Sequence, residues 1–219
     1  MIITALERQK RQRRLRVYVD GAFALTVALS LAQEKGLHEG MAMSAADLRA
    51  LRREDERHTA YEAALRLLSY RPRSEKEMRF RLGRRGVAPE VVEETVRRLR
   101  RAHYLDDEAF AQFWAERRDS VSPRSRALIE RELRFKGIDA DTASSTVADL
   151  DDEEAAYRAA AKRLPALTGL SREVFWHRLG GFLTRRGFSY DVVRPTLERC
   201  WSDISGGDSE PAEEGVEPS

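Results

Sequence analysis

Cysteine occurs once in this 219-residue chain, at Cys200, so no internal disulfide can form, and a lone thiol fits a reducing compartment. No apolar run approaches the roughly 20 residues needed to cross a bilayer. The opening MIITALERQKRQ lacks the charged-then-apolar order of a signal peptide. The chain is therefore expected in the cytoplasm, without a membrane partner. Catalytic signatures are equally sparse. No glycine precedes a lysine, which excludes a P-loop, and G-x-G-x-x-G is missing too. His38, His58, His103 and His177 stand apart, with no i, i+4 pair and no cysteine beside them, so neither a metal nor a cofactor is expected. Catalytic residues have no candidates.

Two acidic runs need weighing against that expectation. Asp106-Asp107-Glu108 and Asp151-Asp152-Glu153-Glu154 could serve acid–base chemistry or Mg²⁺. They recur at one place in a repeated pattern, however, which favours N-terminal capping of a repeated helix.

What the chain has in quantity is charge: 35% of residues, against 42% hydrophobic, with a net charge of only +2. The distribution is uneven. From Ser205 to Ser219 there are five acids and no base, so a tail of −5 within a total of +2 leaves a body of +7. That body suits an anionic partner. The tail, poor in apolar groups, is expected to be disordered.

Three glycines set the architecture. RLGRRGVAPEVV, ELRFKGIDADTA and FLTRRGFSYDVV place Gly86, Gly137 and Gly187 at intervals of 51 and 50 residues, the mark of internal repeats. With each glycine just past a helix end in left-handed geometry, Leu82 meets Val87, Leu133 meets Ile138 and Leu183 meets Phe188 in a Schellman stop. The next helix then starts at Ala88, Asp139 or Ser189. Pro89 takes its first position in the first copy, and an acid follows in each (Glu90, Asp141, Asp191). Apolar residues at i, i+4 and i+7 flank each turn: Met78 and Leu82 before Val92, Val96 and Leu99, then Ile129 and Leu133 before Ala143, Val147 and Leu150, then Leu179 and Leu183 before Val193, Leu197 and Cys200. A further helix opens each unit, at LDDEAFAQFW and LDDEEAAYRA, with Asp55-Glu56 in the matching place before TAYEAALRLL. The third unit is about five residues longer, within Lys162–Leu170.

Residues 1–43 read differently. RLRVYVDGAFALTV alternates Leu15, Val17 and Val19 and then Phe23, Leu25 and Val27 on the two sides of Asp20-Gly21, a hairpin signal. A strand is expected over Ile2–Gln9 and a short helix over Ser30–Lys35, and Ser44 caps a following helix. The fold expected is mainly α: a tandem array of three three-helix, helix-turn-helix-like repeats behind a small N-terminal β-hairpin extension. The segments are 1–43 for the extension with its short helix, 44–104 for a linking helix and repeat 1, 105–150 for repeat 2, 151–204 for repeat 3 and 205–219 for the tail.

Aromatics are few, at 8%. Phe110, Phe113, Trp114, Trp176 and Trp201 lie among apolar neighbours and read as core, as does Cys200, which replaces Leu99 and Leu150. Phe80 lies opposite Met78 and Leu82 and faces either solvent, a partner or the next repeat.

The arginines carry the functional signal. Between Arg71 and Arg101 stand eleven bases and five acids. Arg97, Arg98 and Arg101 point away from the apolar stripe of their helix, and Lys76, Arg79, Arg84 and Arg85 decorate the helix before it. Arg131, Arg134, Lys136, Arg178, Arg185 and Arg186 extend the set. Arg8, Lys10, Arg11, Arg13, Arg14 and Arg16 add an N-terminal cluster in which Arg14, Arg16 and Tyr18 share the non-core strand face. Solvated helix faces and a charged edge strand would account for such residues. Their clustering points further, to contact with an anionic surface. Major-groove reading is disfavoured, because the first turn of each candidate recognition helix carries an acid; contact with DNA backbone stays open.

The stretch ALRLLSYRPRSEKEMRFRLGRRGVAPEVVEETVRRLRRAHYLDDEAFAQFWAERR, continued by SPRSRALIERELRFKGID, resembles the RecX family of bacterial recombination regulators. The Tyr104-Leu105-Asp106-Asp107 join is its most specific piece, and the hairpin resembles an extension present in some members. The resemblance implies a non-enzymatic, monomeric regulator of RecA in DNA repair, homologous recombination and the SOS response. Such regulators are curved arrays of three-helix units in the groove of the RecA–DNA filament, restraining strand exchange, ATP turnover and coprotease activity. The expected partners are the RecA nucleoprotein filament and, weakly and without sequence specificity, single- or double-stranded DNA. The other class of function open to the sequence is a general DNA-binding or architectural protein acting without RecA.

Overall fold

The computed structural model describes residues 1–9 and 13–205; Lys10, Arg11 and the acidic tail beyond Ser205 lie outside the described residues. The chain divides into two compact units, Met1–Asp107 and the described part of Glu108–Ser219.

The first unit opens with three antiparallel strands in the order β1-β2-β3: β1 (Ile3–Arg8), β2 (Arg14–Val19) and β3 (Ala22–Ala28). Asp20 at φ 52° and Gly21 at φ 84° make the tight turn that Asp-Gly favours. Except where a register shift between Val17 and Tyr18 sets Phe23 opposite Tyr18 and turns it away from Leu25 and Val27 to the exposed side, alternation then gives the sheet one apolar face. Ile3, Val17, Val19, Leu25 and Val27 are buried there against Leu31 and Ala32 of α1 (Leu29–Glu34) and Leu51 of α2 (Ala45–Leu68). Each such side chain contributes about 1.5–3 kcal/mol on burial.

Helix α2 departs from the sequence expectation. Asp55-Glu56 was expected to open the first helix of repeat 1, but both residues lie in the middle of one 24-residue helix started by a Ser44/Asp47 capping box. Ala45–Leu68 contains no glycine or proline, so nothing stops the helix earlier. Asp55 is only 6% exposed. Its carboxylate accepts from the Ala28 N–H at 2.6 Å and from Arg14 at 2.5 Å, pinning the helix to β3. One helix thus serves two cores: Leu51 packs under the sheet, while Ala64 and Leu67 pack with Met78 and Leu82 of α3 (Glu75–Gly83) and Val92, Val96 and Leu99 of α4 (Pro89–Arg101).

The second unit holds α5 (Asp107–Ser120), α6 (Arg126–Phe135) and α7 (Ala140–Val147), then α8 (Asp152–Ala161), α9 (Arg172–Arg185) and α10 (Tyr190–Ser205). Each three-helix set closes on its own core, Phe110, Ala115, Ile129 and Leu133 in one, Phe175, Leu179, Leu183 and Cys200 in the other. Phe110 is buried as expected; Trp114, Trp176 and Trp201 pack on these cores partly buried. The extra length of the third repeat forms a 3₁₀ turn at Leu164–Ala166 and buries Leu167.

All three glycine turns have positive φ (76°, 94° and 88°). Val87, Ile138 and Phe188 donate to Leu82, Leu133 and Leu183, while Gly86, Gly137 and Gly187 donate to Gly83, Arg134 and Thr184. These are the two bonds of a Schellman stop. A further stop of the same kind closes α4, with His103 at φ 56° in the glycine place and Tyr104 donating to Leu99.

The acidic runs do more than cap their own helices. Asp151 caps α8, accepting from the N–H groups of Glu153 and Glu154, as its run predicts. Its neighbour Asp152 instead accepts from the N–H of Arg126 at the start of α6. Asp107 does the same for Glu75 at the start of α3. The second acid of each LDD motif therefore caps a helix of the preceding repeat.

Candidate partner-binding surface

In repeat 1, the packing of Met78 and Leu82 leaves Lys76, Phe80 and Arg84 on one outer row of α3, at i, i+4 and i+8. Phe80 is 62% exposed, and the Arg84 guanidinium lies 5.9 Å from its ring. The open alternatives for Phe80 thus resolve toward the outside of its helix. Arg85, Arg97 and Arg101 are exposed as well. Arg98 is exposed too but engaged: its guanidinium lies 3.9 Å over the Tyr61 ring on α2. Arg79 is occupied too, bridging Glu75 and Glu93 at 2.9 Å each and so tying α3 to α4. Its hydrogen bond to Glu93, with that to Glu75 behind it, holds the guanidinium above its ordinary pKa.

In repeat 2, Arg131 and Arg134 line an open groove of about 500 Å³ with Ala127, Glu130 and Phe135. Phe135 is 81% exposed. Lys136 lies 4.0 Å over one side of Trp114, whose ring also carries Arg118 at 4.4 Å. Glu132 gathers this cluster by accepting from Trp114 Nε1, Arg118 and Arg124. In repeat 3, Arg178 and Arg185 are exposed. Arg186 is not available: it donates to Ser122 Oγ at 3.0 Å and Pro123 O at 2.9 Å and covers the Phe182 ring. Burial there, and then the charges of Arg124, Arg163 and Arg118, lower its pKa.

On the sheet, Arg16 is exposed, but Arg14 is committed to Asp55, Thr59 and the Thr26 carbonyl. The candidate residues thus fall into two groups. Arg16, Lys76, Arg84, Arg85, Arg97, Arg101, Arg131, Arg134, Arg178 and Arg185 lie outward. Arg14, Arg79, Arg98, Lys136 and Arg186 fasten the fold.

Sequence reasoning passed over Arg53 and Arg57, which with Arg98 line a groove of about 410 Å³ shared with Glu34, Glu54 and Glu94, Arg57 pairing with Glu94 at 2.9 Å. Their i, i+4 spacing was legible, though diluted by the acids between them. Phe135 was passed over as well, although it occupies the turn position of Arg84 and Arg185. Among the described residues no group of three or more His, Cys, Asp or Glu converges on a metal-sized site, and no helix is long and apolar enough to cross a membrane.

Three three-helix units following one another along the chain, behind a small sheet and with arginines exposed in each, define a helical-repeat protein. Comparison with known proteins names the kind. Residues 1–44 match the regulatory protein RecX N-terminal domain, and 60–99, 106–146 and 151–197 match the first, second and third three-helix domains of RecX. Regulatory protein RecX of Bacillus licheniformis is 31% identical over 200 residues, spanning 90% of this chain and 76% of that protein. The Streptomyces coelicolor protein of the same name is 36% identical over 146 residues, 64% of this chain and 78% of its own. A crystal structure of regulatory protein RecX superposes with a TM-score of 0.63 at 26% identity, covering 90% of this chain and 98% of the other. RecX from Lactobacillus salivarius, at 23% identity and a TM-score of 0.55, shares the fold over 67% of this chain. The chain belongs to the RecX family.

Proposed function

We propose that this protein is a non-enzymatic regulator that binds the RecA–DNA filament through the outward arginines of its repeats and restrains strand exchange, ATP hydrolysis and coprotease activity. It acts in the cytoplasm as a monomer. The observation that carries this reading is the match of all four successive segments, sheet and three repeats, to one family of regulatory proteins. Ten outward basic residues spread over the repeats and the sheet support it, since many weak contacts along a repetitive polyanionic surface add up to tight, salt-sensitive binding.

The test is RecA ATP hydrolysis on single-stranded DNA. Substoichiometric amounts of this protein are expected to slow it; an unchanged rate at several-fold excess removes the proposal. A general DNA-binding role is the second reading, favoured by the basic N-terminal segment. Mobility shifts with naked and RecA-coated DNA across a salt series separate the two, and equal affinity for naked duplex would favour the second.

A further inference from the structure

We propose that the open face of the N-terminal sheet is a stacking platform for the unpaired bases of single-stranded nucleic acid. This contact is separate from the repeats and does not depend on the filament-binding reading.

The sheet has three strands and one buried face, so its other face is presented outward. Strand register puts two rows of side chains there. In one, Tyr18 of β2 lies between Ala5 and Phe23; in the next, Arg16 lies between Glu7 and Thr26. The Tyr18 and Phe23 rings meet edge to face, with centroids 5.9 Å apart and planes at 74°. Phe23 is 57% exposed, a large apolar surface that the fold leaves in water. Tyr18 is held in place because its hydroxyl donates to Glu7 Oε2 at 3.0 Å. Glu7 is thereby occupied, and Arg16 is its cross-strand neighbour.

Charge selects the partner. From Met1 to Ala28 the chain has six bases and two acids. Among the described residues, Arg16 is exposed on this face, while Arg13 is exposed just before β2 and Arg8 is exposed across from the core-facing Leu15. Aromatic rings beside an exposed guanidinium, on the sheet of a basic segment, are what a flexible polyanion with flat apolar faces requires: rings take the bases and cationic groups take the phosphates. A duplex keeps its bases stacked inside and can offer such a face only its backbone. Single strands are therefore favoured over duplex.

The test uses the full chain, without RecA, and fluorescein-labelled dT20, rU20 and a 20-base-pair duplex, read by anisotropy. Wild type is expected to bind dT20 or rU20 more tightly than the duplex, the stronger of the two giving the sugar preference. The double variant Tyr18→Ala/Phe23→Ala is expected to lose tenfold or more for the single strand and less than twofold for the duplex. Phe23→Leu keeps the apolar bulk and removes the π-face, so it should lose several-fold with an unchanged melting curve. Phe23→Trp should bind like wild type and gain an indole emission that dT20 quenches. Unchanged single-strand affinity in both the double variant and Phe23→Leu overturns the proposal. So does an equal loss on single strand and duplex. If these variants lose RecA inhibition while single-strand affinity stays intact, the face is a protein contact and the proposal fails.

Discussion

The Asp107 carboxylate accepts a hydrogen bond from the backbone N–H of Glu75 at 2.9 Å, and Asp152 accepts one from Arg126 at 2.7 Å. Glu75 and Arg126 are the first residues of α3 and α6, and the caps Ser74 and Ser125 already accept from Glu77 and Leu128 two residues further on. The second helices of repeats 1 and 2 thus each have two of their open N–H groups satisfied, one by their own serine and one by the acid that begins the next repeat, whereas Ser171 makes no such side-chain cap on α9. Asp107→Ala should cost about 1–2 kcal/mol in urea denaturation, the value of one charge-assisted hydrogen bond. Asp107→Asn, which keeps an acceptor oxygen, should cost less.

The Asp107 pair also has a pH signature. Burial raises the carboxyl pKa above its ordinary value, more than the Glu75 N–H lowers it. A raised acid favours its protonated form in the folded state, so its contribution is fully present below the ordinary pKa and declines as pH rises past the folded value. The stability gap between wild type and Asp107→Asn should therefore narrow on going from pH 3 to pH 7. A constant gap shows that the carboxyl is not perturbed.

Gly86 and Gly187 occupy matching turns in different surroundings. Both need left-handed backbone, but a Cβ at Gly86 meets nothing within 4 Å, while one at Gly187 meets Ser125 Oγ at 2.5 Å and Leu128 Cβ at 2.7 Å. Gly86→Ala should cost about 1 kcal/mol, the conformational penalty alone. Gly187→Ala should cost about 3 kcal/mol, because overpacking against α6 adds to it. Equal melting midpoints for the two variants would count against the close approach of the α9–α10 turn to α6.

Asp55 tests whether α2 is one structural member. Removing its side chain leaves the Ala28 N–H and the Arg14 guanidinium without their acceptor beside a buried strand. Asp55→Ala should cost about 3 kcal/mol, and Asp55→Asn, able to accept from Ala28 alone, about half of that. A loss under 1 kcal/mol for Asp55→Ala indicates that the sheet and α2 are not coupled through this pair.

Much of this fold was written locally, and that part was legible. Gly86, Gly137 and Gly187 specify their turns through backbone conformation alone, and each apolar stripe through its own period. What could not be read was settled by partners distant in sequence. Asp55 resembles a helix start in its spacing, yet its role is set by Ala28 and Arg14 on the sheet. Asp107 and Asp152 resemble caps of the helices they begin, while their acceptor oxygens serve helices 32 and 26 residues earlier. The basic surface was legible in composition only. Arg98 and Arg186 look no different from Arg97 and Arg185 in the sequence, because a solvated guanidinium and one laid on an aromatic ring occupy the same helix back until the neighbouring helix is placed.

Cys200 is fully buried among Leu197, Leu179 and Val193, and burial, followed by Asp203, pushes its thiol up to about 11. In native protein at pH 8 it should react with a disulfide reagent only as fast as the third repeat unfolds, whereas urea should release it at once. The linkage is that of a raised group. Its contribution is fully present below the ordinary value of 9 and is lost as pH rises through 11. Relative to Cys200→Ala, wild type should therefore lose about 2 kcal/mol between pH 9 and pH 11. Fast labelling of folded protein at pH 8 contradicts the burial.

Arg97 and Arg101 offer the sharpest separation of surface from scaffold. One turn apart on the outer side of α4, they are exposed, while Arg98 between them lies on Tyr61. Reversing both in Arg97→Glu/Arg101→Glu should leave stability within about 1 kcal/mol of wild type, the usual range for two exposed sites. If the proposed filament contact is right, the same variant needs roughly five times more protein, or above, to half-inhibit RecA ATP hydrolysis at low ionic strength. That deficit should shrink as salt rises, because the screening length falls from about 10 Å at 0.1 M to about 3 Å at 1 M. Arg98→Ala should show the opposite pattern. It gives up a cation–π contact of about 0.5–1 kcal/mol, lowering the melting midpoint with little change in inhibition once the protein is folded. Inhibition unaltered by the double reversal would move the contact off α4 and onto the outward residues of α3 and α6, Arg84 and Arg131 first among them.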